Sequence, residues 1–586
     1  MKIPYIPEDA PFSGDQKAWL AGFLAGLHSR AAMPQAAGGA VAAAASPQTA
    51  PTLDILYGTQ TGNAEIVATE AAEHARASGF APRIQELDAV DMGALASMER
   101  AIVVVSTYGE GEMPDNAQIF WDNLSAETAP RLEQLSYGVL ALGDTSYDLF
   151  CQAGKLIDMR FEQLGAKRLN ARVDCDVEYE EMASAWVAET LPLAQDGEAI
   201  IAPQAAPAAA APAKSGWTRK NPYPAPVLEN RLLSGSKSQK EIRHFSLGLG
   251  DSGITYEAGD ALGVVPVNRP DLVSAILTRL GAKAEDGVAG QDAPLGELLA
   301  KRFEIMTPSR ELIAAIAERA DHDELSHVAG NGDKEAMTAF LWGRDTLDLL
   351  NLNAKLAVDP AEFLSWLKPL QHRAYSISSS PKAHPGEVHL TVAAVRWKAE
   401  GREHCGVAST YLADFTEEGG ETPVFVSPNK SFRPPADDGA PMIMVGPGTG
   451  IAPFRAFLEE RLARGASGRN WLFFGDQRRA SDFIYEDEIS ELSNSGVLSR
   501  LDLAFSRDQK QKIYVQHRMR ENGKALYAWL EEGGYFYVCG DATRMAKDVD
   551  AALHQIVQSE GGLSEEGAVE YVNTLKRDKR YLRDVY

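Results

Sequence analysis

Hydrophobic and polar positions divide the chain into stretches of different period. The runs LDILY (53–57), AIVVVST (101–107) and YGVLALGD (137–144) are almost continuously apolar, and helix-period segments separate them. Short apolar runs of this kind predict buried strands. Their alternation with helices over 53–195 predicts a doubly wound parallel sheet. Residues 217–268 and 373–433 instead alternate apolar with polar, as in EVHLTVAAV (387–395). The stretch between them, about 269–368, is mostly helical in period, for example PDLVSAILTRL and DTLDLLNL. This pattern predicts a β-barrel over 217–437 split by a helical insert. Residues 438–586 return to strand–helix alternation in PMIMVG, NWLFFG, LDLAFS and YFYVCG, with Gly, Asp or Ser at the strand ends. The expected fold class is therefore multidomain α/β plus β-barrel.

Two low-complexity stretches punctuate the pattern. Residues 32–51 are rich in Ala, Gly and Pro, and 202–213 read APQAAPAAAAPA. Neither offers large apolar side chains to bury, so both read as linkers. The expected organisation is a tail with its linker (1–52), an α/β unit (53–195), a linker (196–216), the barrel with its insert (217–437) and a second α/β unit (438–586). The tail holds one expected helix: Ser13 and Gln16 have capping-box spacing, and Trp19, Leu20, Phe23, Leu24 and Leu27 share a face. A lone helix this short is marginal. Its apolar face needs either the body of the protein or another copy of the tail, and self-association is the expectation.

Composition narrows the function. The 586 residues are 45% hydrophobic and 24% charged, ordinary for a chain that builds cores. The net charge of −25 argues against nucleic acid or an anionic membrane as partner. The acids serve either solubility or steering toward a basic protein surface. One acidic cluster, Asp174, Asp176, Glu178, Glu180 and Glu181, is either a solvated face or a docking patch for a basic partner. The four cysteines, Cys151, Cys175, Cys405 and Cys539, form no CxxC pair, so no metal site is expected and free thiols in a reducing compartment are. No apolar run reaches the roughly 18 residues of a membrane span. Ala18–Leu27 is short and follows acids Glu8, Asp9 and Asp15, unlike a secretory signal. The expected location is the cytoplasm.

Candidate chemistry gathers at the carboxyl ends of the predicted strands. After Asp54–Tyr57 comes Gly58-Thr59-Gln60-Thr61-Gly62-Asn63-Ala64 and then a helix. Hydroxyls and N–H groups at a helix N-terminus suit a mononucleotide phosphate. Ser106-Thr107-Tyr108-Gly109-Glu110-Gly111 and Leu142-Gly143-Asp144-Thr145-Ser146-Tyr147 follow the next two strands, each with a tyrosine able to flank a flat ring. Together these loops resemble the flavodoxin-type FMN domain of the diflavin reductase family. That resemblance implies that Thr59 to Ala64 hold the FMN phosphate and that Tyr108 and Tyr147 sandwich its ring, with Ser106, Thr107, Gly109, Leu142, Gly143, Asp144, Phe150 and Cys151 in the same site.

In the barrel, Arg373-Ala374-Tyr375-Ser376 opens a strand, and Gly406-Val407-Ala408-Ser409 opens a helix. Arg can pair with a pyrophosphate, Tyr offers a stacking face and Ser a hydrogen bond. In this order and spacing the two motifs resemble the FAD site of the ferredoxin–NADP reductase family. The resemblance implies that Arg373 and Gly406–Ser409 bind the pyrophosphate, that Tyr375 lies against the flavin and Ser376 near its reactive nitrogen, and that Thr391, Val392, Ala393 and Trp397 make further FAD contacts. Gly446-Pro447-Gly448-Thr449-Gly450-Ile451-Ala452-Pro453 lies between the strand Met442–Val445 and a predicted helix Phe454–Arg464, and resembles the nicotinamide-nucleotide loop of the same family. Ser506-Arg507 ends a strand, with Lys512, Tyr514 and Gln516 following; two cations and three hydrogen-bonding groups suit a 2′-phosphate, hence NADPH. The resemblance adds Ile513, Val515, Asp541 and Asp548 to the nucleotide site. It also implies a hydride-transfer site of Ser376, Cys539 and Asp584, with Tyr586 covering the flavin until nicotinamide arrives.

Within the diflavin reductases, Leu142–Lys155, Met444–Phe457, Asn470–Asp476, Ser506–Gln516 and the closing Arg-Asp-Val-Tyr resemble the flavoprotein subunits of assimilatory NADPH–sulfite reductases most. This implies transfer of electrons from NADPH through FAD and FMN to a sirohaem and iron–sulfur partner subunit, in sulfur assimilation and cysteine biosynthesis. The alternative is a diflavin reductase serving another haem acceptor, such as a monooxygenase.

Overall fold

Each of the three patterns becomes a sheet of the expected kind in the computed structural model, which describes residues 50–195 except 110, 146 and 148, and 216–586 except 332. The tail helix, most of both linkers, and Glu110 and Ser146 of the two tyrosine loops lie outside the described residues. Pro51–Tyr586 forms one compact unit.

The first sheet is parallel: β1 (Thr52–Gly58), β2 (Ala81–Glu86), β3 (Arg100–Ser106), β4 (Ser136–Leu142), β5 (Lys167–Arg168) and β6 (Val173–Cys175). Its order is β2-β1-β3-β4-β5, with β6 also on β4. The chain turns to opposite sides after β1 and after β3, so the loops following these two strands open a crevice at the carboxyl edge. Ile55, Val103 and Leu140 and their neighbours are fully buried, which is why these strands read as continuous apolar runs.

The second sheet is antiparallel. It contains β7 (Tyr223–Leu232), β8 (Glu241–Gly248), β9 (Ala261–Val264), β10 (Arg373–Ser376), β11 (Glu387–Ala394) and, beyond the hairpin β12 (Arg396–Ala399) and β13 (Arg402–Cys405), β14 (Glu421–Ser427). The order β10-β9-β14-β7-β8-β11 closes on itself where Ile377, just past β10, bridges Leu390 of β11. Closure leaves no free edge and makes the barrel. Between β9 and β10 the described residues form seven helices from Pro270 to Ser365, with their own core around Ile276, Leu298, Leu312, Leu349 and Phe363.

The third sheet is parallel, in the order β17-β16-β15-β18-β19: β15 (Met442–Val445), β16 (Asn470–Asp476), β17 (Arg500–Phe505), β18 (Tyr535–Gly540) and β19 (Tyr581–Val585). The helix expected from Phe454 begins at Ala452, after a single 3₁₀ turn over Gly448–Ile451. Among the described residues no helix is long and apolar enough to cross a membrane.

Candidate functional site

The loop after β1 is a backbone cradle. Gly62 takes a left-handed conformation (φ 88°) at the start of the helix Asn63–Ala77, whose N-terminus carries no side-chain cap. Thr59 Oγ1 accepts from Gly62 N (2.9 Å) and Ala64 N (3.4 Å), Thr61 is exposed, and Thr59 N donates to Asn116 Oδ1 (2.7 Å). The positive end of this helix, with the Thr59 hydroxyl holding the loop against it, fits a phosphate. A side chain at Gly62 would meet the carbonyl of Pro428 at 2.5 Å, so this loop lies against the barrel.

The two tyrosine loops differ. Thr107 is fixed by N–H donation to Leu142 O (2.9 Å) and by accepting from Ala153 N (3.1 Å), and Ser106 Oγ reaches Gly58 O at 3.4 Å. Gly109 has φ 54° and allows the hairpin-like turn that presents Tyr108. The Tyr108 hydroxyl donates to Val585 O of β19 (3.1 Å), and burial pushes its pKa up to about 12. In the third loop Gly143 N donates to Cys175 O, Tyr147 N to Asp144 O, and Tyr147 is 46% exposed, with its ring open to a ligand. Cys151 adopts φ 55° with its buried thiol toward Ala141 O, and Phe150 lies under Lys155.

Most of the acidic cluster is engaged inside the molecule. Asp174 pairs with Arg172 (2.7 Å), Asp176 accepts from Thr145 N and Oγ1, Glu180 pairs with Arg219 (2.7 Å) and Glu181 with Lys220 (3.3 Å). These acids brace the Leu142–Tyr147 loop and the start of the barrel unit, work that neither a solvated face nor a docking patch accounts for.

In the barrel, Arg373 and Ala374 are exposed, and Arg373 forms no salt bridge among the described residues. Tyr375 is half-buried, and desolvation raises its hydroxyl pKa. Gly406 starts the helix Val407–Phe415 without a side-chain cap, with Ala408 buried behind it; Ser409 Oγ accepts from Val395 N at 3.1 Å. An uncapped helix N-terminus and an exposed arginine are both groups that suit a pyrophosphate. Thr391 and Val392 point into the core instead: the Thr391 hydroxyl is 2.7 Å from the buried Tyr485 hydroxyl. Trp397 is half-buried and stacks on His404 at 5.4 Å between ring centroids.

Three separated residues converge where barrel and third sheet meet. Ser376 Oγ, at the end of β10, donates to Asp584 Oδ2 (2.6 Å), and Cys539 Sγ lies 3.8 Å from the same oxygen. The pairing of β18 with β19 sets Cys539 beside Asp584 in register. Burial raises both pKa values, the Cys539 thiol's well above the ordinary range, while the bonds from Ser376 and Cys539 partly stabilise the carboxylate.

The loop after β15 needs its glycines. A side chain at Gly450 would collide with the carbonyl of Cys539, and one at Gly446 with Gly450 O at 2.5 Å. The loop is therefore pressed onto β18, beside the Ser376–Asp584 pair. Gly448 (φ 60°) faces Asp476 and Lys240, and Thr449 Oγ1 meets the Tyr586 hydroxyl at 2.9 Å. Ser506 and Arg507 are held by N–H donation to Asp476 O and Gln477 O; Lys512 and Tyr514 are exposed, Ile513 is half-buried and Val515 is core. Gln516 Nε2 donates to Asp548 Oδ2 (2.9 Å), and Asp541 accepts from Arg544 N and Met545 N at the start of the next helix. An exposed lysine beside an arginine at the strand end fits a 2′-phosphate.

Several residues here had no sequence signal. Lys240 Nζ pairs with Asp476 (2.7 Å) and Arg507 NH1 bonds Gln239 (2.5 Å), so the β7–β8 loop of the barrel borders the ends of β16 and β17. Asp115 bonds Gln60 of the phosphate loop and pairs with Arg583 of β19. Lys579–Glu86 (2.8 Å) and Lys430–Glu65 (2.7 Å) add two more ties between the first sheet's unit and the rest. Two His–carboxylate groups, His384–Glu387–His389 and Asp345–Asp348–His404, are close enough to consider for a metal. Arg455 occupies His389 Nδ1 (3.3 Å) in the first and Arg402 pairs with both aspartates in the second, so each already has a cation as partner.

Residues 55–186 match the flavodoxin family, 216–411 the FAD binding domain family and 444–551 the oxidoreductase NAD-binding domain family. The chain is 44% identical over 582 residues to the sulfite reductase (NADPH) flavoprotein alpha-component of Bacillus subtilis strain 168, covering 97% of this chain and 95% of that protein. The protein of the same name from Vibrio cholerae serotype O1 is 44% identical over 98% of this chain and 94% of its own. That of Shewanella sp. strain MR-7 is 43% identical over 98% and 96%.

Proposed function

Because the chain belongs to the sulfite reductase (NADPH) flavoprotein alpha-component family, we propose that it delivers electrons from NADPH, by way of FAD and FMN, to a sirohaem and iron–sulfur subunit that reduces sulfite to sulfide. It is an NADPH-dependent oxidoreductase with flavodoxin, FAD-binding and NAD-binding domains. When bound, the three groups supply a hydride donor, a flavin that takes two electrons and releases them singly, and a second flavin that relays them singly.

The protein's own part is to hold and order these groups. Thr59–Ala64 hold the FMN phosphate, with Tyr147 presenting a stacking face. Arg373 and Gly406–Ser409 hold the FAD pyrophosphate; Gly448 and Thr449 hold that of NADPH, with Arg507 and Lys512 on its 2′-phosphate. Ser376 keeps its hydroxyl proton directed at Asp584 Oδ2, so a carboxylate faces the point where positive charge develops on nicotinamide. Tyr586 covers this point until it is displaced. The observation that carries the reading is this convergence of Ser376, Cys539 and Asp584 from two domains.

Sulfite reduction takes six electrons at a metal centre, and the four cysteines here are separate buried thiols. The sulfite chemistry therefore belongs to the partner. Segment 1–52 is assigned to self-association. The test is a pull-down with a tag at residue 1, leaving Tyr586 free, followed by the visible spectrum and a sulfide assay with NADPH and sulfite. A co-purifying sirohaem protein with sulfide production is expected. A flavin-only preparation that reduces cytochrome c and makes no sulfide overturns the acceptor assignment.

A further inference from the structure

The hairpin β12–β13 stands outside the barrel, joined to it at its ends, yet it carries Trp397. Trp397 and His404 are direct cross-strand partners, and their rings are nearly parallel (16°). The indole Nε1 donates to Gly343 O (3.1 Å) in the loop that ends the helix Lys334–Leu341 of the insert. Gly343 has φ 82°, and a side chain there would press on Ala399 of the hairpin (2.9 Å), so the glycine lets this loop lie against β12.

Beneath His404 is a buried ionic network. His404 Nε2 bonds Asp348 Oδ2 (2.7 Å), and Arg402, two residues before it on the hairpin, pairs with Asp348 (2.9 Å) and with Asp345. Asp345 and Asp348 form a reciprocal capping box on the helix Thr346–Asn351 and are themselves buried. His404 Nδ1 and Asp345 Oδ2 are buried without a hydrogen-bond partner, the latter 3.9 Å from His404 Nε2. Burying this many charged groups for stability alone is a poor bargain, since apolar residues of the same volume commonly do as well. What the network does specify is direction. It fixes the imidazole plane, and the imidazole plane and the Gly343 carbonyl together fix the indole plane.

The position of the stack shows what that plane serves. The Ser376–Asp584 site takes the reacting ring of FAD, and Arg373 with Gly406–Ser409 takes its pyrophosphate. Gly406 follows the hairpin directly, with Gly406 N donating to Val395 O (2.9 Å). The flat group left to occupy the hairpin side of the pyrophosphate is the adenine. We infer that Asp345, Asp348 and Arg402 hold His404 as a positioning residue under Trp397, so that the helical insert sets the platform on which the FAD adenine stacks. This rests on the reading of the barrel as the FAD site.

The test uses the full-length protein, stripped of FAD and titrated with it by fluorescence, in His404→Ala, Trp397→Ala, the double variant and His404→Phe. His404→Ala should weaken FAD binding about tenfold, the scale of one oriented aromatic contact. The double variant should bind no more weakly than Trp397→Ala alone, and His404→Phe, which restores a flat ring without the ionic bonds, should recover part of the loss. FMN content should stay at one equivalent throughout, which separates a local effect from misfolding. Unchanged FAD affinity in His404→Ala, or losses that simply add in the double variant, would overturn the inference. If Trp397→Ala alone binds FAD like the parent, the assignment of this face to FAD fails instead. If His404→Ala does not fold, the decision passes to His404→Phe: a partial loss of FAD affinity that vanishes in the Trp397→Ala background supports the stack, and unchanged affinity or an additive loss refutes it.

Discussion

The hydroxyl of Tyr586 meets Thr449 Oγ1 at 2.9 Å, linking the end of β19 to the turn that follows β15. Tyr586 is 57% exposed, and its backbone is tied by Tyr586 N to Gly540 O and Ala542 N to Tyr586 O. A nucleotide pyrophosphate settling on Thr449 competes for the same hydroxyl. Tyr586→Phe should therefore lower KM for NADPH by about two- to tenfold, the worth of one neutral hydrogen bond. Deleting Tyr586 should lower the NADPH/NADH ratio of kcat/KM, because no ring remains to displace. Steady-state kinetics with both nucleotides decide; unchanged values for both variants refute the latch.

Asp584 supplies a pH dependence. Burial raises its carboxyl pKa above the ordinary range, so the folded protein keeps that proton to higher pH than the unfolded chain. This group thus costs stability as pH rises from the ordinary carboxylate range through its raised value. Hydride transfer requires the ionised form, so flavin reduction should fall as pH drops through the same window. Asp584→Asn should slow NADPH-driven flavin reduction by about 100-fold and abolish that pH limb, leaving FAD content intact. Stopped-flow rates across pH test this, and a persisting limb would point to another group.

Gly450 tests the packing of the nucleotide loop. An added methyl there would collide with Cys539 O. Gly450→Ala should cost about 1–3 kcal/mol as overpacking and weaken NADP⁺ binding, with the flavins retained. Thermal melting with and without NADP⁺ measures both.

The ties Arg583–Asp115, Lys579–Glu86 and Lys430–Glu65 hold the first sheet's unit against the other two. Exposed pairs are screened by salt, and the more buried Arg583 pair is screened less. Arg583→Gln should leave FAD reduction unchanged and slow the following transfer to FMN severalfold. Raising ionic strength should slow that transfer in the parent and slow it at least as much in the variant, where only the exposed pairs remain. Two-wavelength stopped-flow traces resolve the two steps.

The strands were legible because their burial writes itself into composition. Met442–Val445 is buried at every position, and its predicted bounds are those observed. The meeting of Ser376, Cys539 and Asp584 was reachable only through family resemblance, since no local pattern links residues 208 positions apart. Lys240 and Asp115 were not legible at all. Each is a single charged residue, and its ionic partner, Asp476 for Lys240 and Arg583 for Asp115, comes only from the docking of one domain on another. The acidic cluster shows the reverse limit: five acids in eight residues suggested a free surface, yet Asp176 and Glu180 are taken up by Thr145 and Arg219.

Strand β19 has one more consequence. Neighbouring residues on a strand face opposite ways, and here Arg583 turns to Asp115 while Asp584 turns to Ser376. A shift of one residue would exchange them, aiming a cation at the hydride site and an anion at Asp115. The turn from Arg577 to Arg580 sets that phase. Over evolutionary time this segment should accept changes of letter far more readily than changes of length.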